Sequence, residues 1–162
     1  MCALAFRNIS ATPEDPIEKW GVEGILAAID RGSLQHWRKI SRAVVQEPYG
    51  PVAADLAEAL SIAEDRGARA ALSRVLAEAR AGEQNAARVE VARRLRACVE
   101  ASGLSDRAFA MRLGTSPSRM STYLSGGVTP SAALLPRAEW LAERYRNRKT
   151  ELPTAASGSG CG

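Results

Sequence analysis

Composition, periodicity and the placement of helix-ending residues together predict an all-α fold. Alanine, leucine and arginine are plentiful while aromatic residues make up 5% of the chain, a balance that favours helix over sheet. Apolar residues recur at three- and four-residue intervals, and Gly, Pro, Ser and Asp fall where those runs begin and end. At 162 residues the chain suffices for one substantial domain or two small ones.

Residues 1–12 show no clear period and are expected to be a flexible arm. In TPEDPIEKW, Asp15 stands as an N-cap and Pro16 takes the first helical position. Ile17, Trp20, Ile25, Leu26 and Ile29 follow, with Gly21 and Gly24 as interruptions and Arg31-Gly32 as the stop. Ser33 caps the next helix, whose Leu34, Trp37, Ile40, Val44 and Val45 fall on one stripe. EPYGP is a turn. A third helix then runs through Val52, Leu56, Leu60 and Ala63 to Gly67, and a fourth through Leu72, Val75, Leu76 and Ala79 to Gly82. Residues 13–82 thus read as an N-terminal helical domain. Its Trp20, Trp37 and Tyr49 suit a core at helical spacing better than a pocket or an interface.

The second domain is expected over 86–146, with a disordered tail over 150–162. Its first helix carries Val89, Ala92, Leu95, Ala97, Cys98 and Val99 and ends at Ser102-Gly103. Gly82 is the only breaker between it and the preceding helix, so the two can run on as one. Ser105 opens DRAFAMRL, which Gly114 ends, and Ser116 caps a third helix with Pro117 at its first position. Pro136 would be costly deep inside a helix, so the last helix is expected to start there, after a turn over residues 131–135.

Charge divides the same way. Residues 1–85 hold ten Lys/Arg and twelve Asp/Glu, a net of −2, whereas residues 86–149 hold twelve and five, a net of +7. Such asymmetry suggests that one half meets a polyanion. No run approaches the roughly 18 apolar residues of a membrane span, and MCALAFRNIS has no signal-peptide core, which points to the cytoplasm. Cys2, Cys98 and Cys161 match no metal or disulfide pattern, and Cys98 sits on an apolar helical repeat as a small buried residue. The single histidine, His36, leaves little for acid–base chemistry. No catalytic residue, metal or cofactor is expected.

The stretch LGTSPSRMSTYLSGG, residues 113–127, carries four serines, two threonines, one arginine and no acid. Ahead of it and through it run Leu104, Ser105, Phe109, Ala110, Leu113, Gly114, Ser116, Met120, Tyr123-Leu124 and Gly126. Ala110 suits the close crossing of two short helices, and Gly114 suits a turn with positive φ. This spacing resembles the helix-turn-helix of Cro/repressor-type (Xre-family) DNA-binding proteins, over about residues 89–141. It includes the G-x-x-x-P-S run from Gly126 to Pro130-Ser131.

The resemblance implies a lambda-repressor-like domain whose helix from Ser116 enters the major groove. Pro117, Ser118, Arg119, Ser121 and Thr122 would face DNA, while Met120, Tyr123 and Leu124 face inward. Arg119 is the candidate base reader, since its fork can grip guanine O6 and N7. N–H groups near Ser116 can hold a phosphate, and Arg107, Arg112 and Thr129 are further contact candidates, as is the cluster Arg144, Arg146, Arg148, Lys149. Where such proteins often carry Gln, Asp106 stands here, which leaves the backbone contact to Arg107.

These features predict a sequence-specific regulator of transcription that binds double-stranded DNA and has no enzymatic activity. The expected form is a repressor, acting as a homodimer on a near-palindromic site in the cytoplasm, associated with the nucleoid. The N-terminal domain would dimerise or bind a protein partner. Alternatives are an antitoxin or phage-type immunity regulator with a protein partner, and a plasmid-partition or architectural DNA-binding protein.

Overall fold

A computed structural model describes residues 4–7 and 9–151. The tail expected over 150–162 lies outside these residues from 152 onward, as do Cys2 and Cys161. The chain divides into two compact units, Met1–Gln84 and Asn85–Gly162. Among the described residues there are seven α-helices, one short 3-10 turn and no strand.

In the first unit a 3-10 turn, Ile17–Lys19, precedes α1 (Gly21–Arg31), α2 (Leu34–Gln46) and α3 (Pro51–Ile62). Helix α4 (Arg66–Ser102) contributes its residues 66–84. Asp15 does not cap a helix, because the chain closes a tighter turn first. Its carboxylate accepts the backbone N–H and the hydroxyl of Thr12, each at 2.8 Å. These two bonds hold the Asp15 carboxyl below the usual carboxylate range. Gly21 does interrupt, at φ +57°, but Gly24 sits within α1, buried under the N-terminal segment. A Cβ there would stand 2.8 Å from Trp20 Cβ and 3.2 Å from the Phe6 ring. Glycine is what lets Phe6 and Ile9 lie on α1.

Trp20 is fully buried at the centre of this core, with Ile25, Ile29, Ile40, Val44 and Leu56 around it. Phe6 meets its ring edge-on, with centroids 5.3 Å apart, so part of the expected arm packs on the core. Trp20 Nε1 donates to the Asp15 carbonyl at 3.2 Å, and Trp37 Nε1 donates to that of Ala28 at 2.8 Å. Both indoles therefore bury area without orphaning their N–H. Tyr49 differs: it is exposed, with Arg80 over its ring and Gln84 bonded to its hydroxyl. Leu34 and Val45 also leave the expected stripe and stand more than 60% exposed at the margins of α2. His36 has a local task. Its Nδ1 accepts the Ser33 N–H at 3.0 Å and so closes the start of α2.

Neither Gly67 nor Gly82 ends a helix. Helix α3 stops at Ile62, where the chain extends at Ala63, and the next helix starts before Gly67. Asp30 Oδ1 accepts the N–H groups of Glu64 and Asp65, and Asp65 Oδ1 accepts that of Ala68 at 2.9 Å. These carboxylates satisfy donors that a helix start leaves free, which places the boundary ahead of Gly67. Gly82 lies inside the 37-residue α4. A lone glycine costs a helix only about 1 kcal/mol relative to alanine, and the good helix formers on either side outweigh it.

The second unit combines residues 85–102 of α4 with α5 (Asp106–Leu113), α6 (Pro117–Leu124) and α7 (Leu134–Glu151). Its core joins Leu95, Cys98 and Val99 to Phe109, Ala110, Leu113, Met120, Leu134, Ala138 and Leu141. Val89 and Ala97, expected on the apolar stripe, are exposed; Val91 packs against the core instead. Burial, with Glu139 second, pushes the Cys98 thiol up, so the thiolate is scarce at neutral pH. Helix α7 begins at Leu134, two residues before the expected start. Pro136 still falls in the first turn, where its missing N–H is no loss.

Nothing lies within 4 Å of a Cβ built on Gly82. Gly82→Ala is therefore expected to stabilise α4 by ~0.5–1 kcal/mol, which thermal unfolding followed by circular dichroism will register as a raised midpoint.

Candidate nucleic-acid interface

Helices α5 and α6 have eight residues each and owe their positions to the residues at their ends. Ser105 Oγ accepts the Ala108 N–H at 3.3 Å to start α5. Gly114 ends it in the left-handed region at φ +78° and ψ +32°. The Thr115 N–H then reaches back to the Ala110 carbonyl at 3.0 Å, and Arg137 of α7 donates to the Leu113 carbonyl at 2.7 Å. Two residues on, Ser116 Oγ accepts the Arg119 N–H at 3.2 Å and starts α6, with Pro117 at its first position. Arg96 of α4 donates to the carbonyl of Leu124 at the other end of α6.

Met120 is fully buried, and Tyr123 and Leu124 are half-buried beside it. The inward face of α6 stops there. Ser116, Pro117, Ser118, Arg119, Ser121 and Thr122 are all exposed, with Ser118 and Thr122 near the middle of the outward face and Arg119 at one margin. The Thr122 hydroxyl donates to the Ser118 carbonyl at 3.1 Å, which leaves its oxygen free to accept. Thr129 is exposed in the loop that follows. Residues 107–138 contain no Asp or Glu.

Residues 90–145 match the family model of a helix-turn-helix domain. The match covers about a third of the chain and takes in most of the unit's share of α4, all of α5 and α6, and most of α7. The second unit thus contains a helix-turn-helix of a DNA-binding family, with α6 in the position of the second motif helix. No characterised protein and no solved structure is significantly similar to the chain. Among the described residues, no helix is long and apolar enough to cross a membrane.

The basic residues of this domain fall into two groups. Most are occupied. Arg93 pairs with Glu90, Arg94 with Glu139 and Arg146 with Glu143, while Arg96 and Arg137 hold the carbonyls just described. Arg144 lies 5.3 Å over the Trp140 ring, and Arg112 and Arg148 lie 5.4 and 5.7 Å over Tyr145. Arg112 therefore faces α7, about 140° round α5 from Arg107 at 3.6 residues per turn. Arg107, Arg119 and Lys149 form the second group: exposed, and without a side-chain partner among the described residues. Arg107, Arg119 and the α6 hydroxyls stand free on the two motif helices, whereas Arg112, also on α5, lies with Arg148 over the Tyr145 ring of α7.

Sequence reasoning missed Arg96 and Arg137 as residues that position the motif, and it missed Trp140, 63% exposed on α7. The arginines bond to carbonyls 28 and 24 positions away, and no local pattern announces such a contact. Trp140 alone carried a signal, since it falls off the stripe of Leu134, Ala138 and Leu141.

An alanine at Gly114 would hold a left-handed backbone that costs an L-residue ~1–2 kcal/mol. Gly114→Ala is expected to lower the unfolding free energy measured in urea by that amount, with Gly114→Asn between it and the parent.

Proposed function

We propose that the chain is a non-enzymatic transcriptional regulator that reads a specific double-stranded DNA sequence through α6. The observation that carries this reading is the outward face of α6: short hydroxyls and an unoccupied Arg119, in a stretch of the motif without a single acid. A surface meant only for water has no reason to exclude carboxylates over residues 107–138. A phosphate backbone gives that reason, because each carboxylate near it would be repelled. Arg119 is the base reader of this proposal, Ser118, Ser121 and Thr122 its hydrogen-bonding neighbours, and Arg107 a phosphate contact. One helix of this length reads only a few base pairs, so useful specificity calls for a homodimer on a near-palindromic site. Repression follows if that site overlaps a promoter, and the place of action is then the cytoplasm, on the nucleoid.

Selection from a random duplex library, followed by fluorescence anisotropy at physiological salt, tests the reading. A preferred site should bind about a thousandfold tighter than random duplex; equal affinity for both would overturn sequence-specific recognition. Arg119→Ala should cost ~1–3 kcal/mol on the preferred site and flatten the preference at one position. Arg107→Ala should instead weaken every duplex alike and reduce the salt slope by about 1.

A further inference from the structure

We propose that Arg88 of α4 grips a phosphate of the duplex beside the loop that follows α6, an anchor outside the two motif helices. The proposal rests on the reading of α6 as the helix in the groove. The chain leaving α6 runs along one face of α4. Arg96 donates to the Leu124 carbonyl, and a Cβ on Gly126 would stand 3.8 Å from Ala92 Cβ and 3.9 Å from the Arg88 carbonyl oxygen. Arg88, Ala92 and Arg96 follow at four-residue intervals, so they share that face. Side chains lean toward the N-terminus of their helix, which carries the Arg88 guanidinium beyond Gly126 and away from Arg96.

The two arginines of this face differ in what they hold. Arg96 has a helix-end carbonyl. Arg88 is half-buried, and its Nε is enclosed without a hydrogen-bond partner, the only buried side-chain nitrogen or oxygen so left among the described residues. Its Nη2 reaches only Asn85 Oδ1, at 3.4 Å, and none of the ion pairs among the described residues includes it. Buried polar groups are satisfied almost everywhere in folded proteins, and a cation held partly out of water without an acceptor lowers stability. Packing of the stem accounts for the burial but not for the charge, since an apolar side chain would pack there at less cost. Residues 107–138, the loop after α6 included, hold no acid to meet that charge. A phosphate oxygen against the outer nitrogens of the guanidinium supplies the missing anion.

The test is fluorescence anisotropy of the full chain on the selected site and on random duplex, over a series of salt concentrations. Arg88→Met keeps the stem and removes the charge. It should weaken both duplexes by the same factor, about tenfold, and reduce the salt slope by about 1. Arg88→Lys keeps the charge and should keep the slope. Single methylphosphonate substitutions along the selected site should reveal one phosphate whose neutralisation weakens the parent and leaves Arg88→Met unchanged. Thermal unfolding separates this role from a structural one: with an unpartnered donor gone, Arg88→Met should match or exceed the parent's midpoint. The inference is overturned by an unchanged slope, an altered base preference, a lowered midpoint, the lack of such a phosphate, or Arg88→Lys falling as far as Arg88→Met. A parent that binds all duplexes equally would overturn the sequence-specific reading of α6, while the slope of Arg88→Met on random duplex would still decide the anchor.

Discussion

The burial of Phe109, Ala110, Leu113 and Met120 against α4 and α7 is the constraint on which the second unit depends. Isolated helices of eight residues do not persist in water, because nucleation costs more than so few hydrogen bonds return. The order of α5 and α6 is therefore tertiary in origin. Only six apolar side chains of the pair, four of them buried, face inward, and those suffice to seat both. What remains on α6 is released from any packing duty, so its composition answers to whatever it meets outside. Polarity on this helix is a consequence of how little burial it needs.

The ends of the two helices supply what burial cannot, namely direction. Gly114 sets the angle between them at a conformation other residues resist, and Ser105 and Ser116 satisfy donors at the two starts. Arg137 and Arg96 satisfy carbonyls at the two ends, reaching in from α7 and α4. A guanidinium at the negative end of a helix gains from the aligned peptide dipoles as well as from the hydrogen bond. These two arginines belong to the motif as much as the residues on its surface, since they hold the outward face of α6 in one orientation.

Local chemistry was legible in the sequence, and contacts made at long range were not. Ser105, Gly114, Ser116 and Pro117 announce their positions because caps and left-handed turns select residue types within a few positions. Gly82 misled for the opposite reason. Its effect on a helix is a small energy, and whether it breaks one depends on the helix propensity on both sides. Asp15 and Gly67 show the same limit, where a competing Thr12–Asp15 turn and the carboxylates of Asp30 and Asp65 moved a boundary that spacing alone placed otherwise. The exposure of Leu34, Val45 and Val89 follows from which side of each helix a neighbour happens to occupy, and periodicity does not state that.

Net charge is the coarsest of the signals and the one the structure refines most. The +7 of residues 86–149 suggests a broad electropositive face. Yet a charge on a guanidinium is available to a partner only when the donors beneath it are unspent. Ion pairs, helix-end carbonyls and aromatic rings occupy most of the arginines on α4 and α7, and each such contact fixes a side chain that a solvated one would leave free. Breaking a contact of that kind to reach a phosphate would offset part of the gain. Arg107 and Arg119 begin with no such contact to lose. Selectivity of the charge, more than its sum, concentrates the nucleic-acid reading on the two shortest α-helices among the described residues.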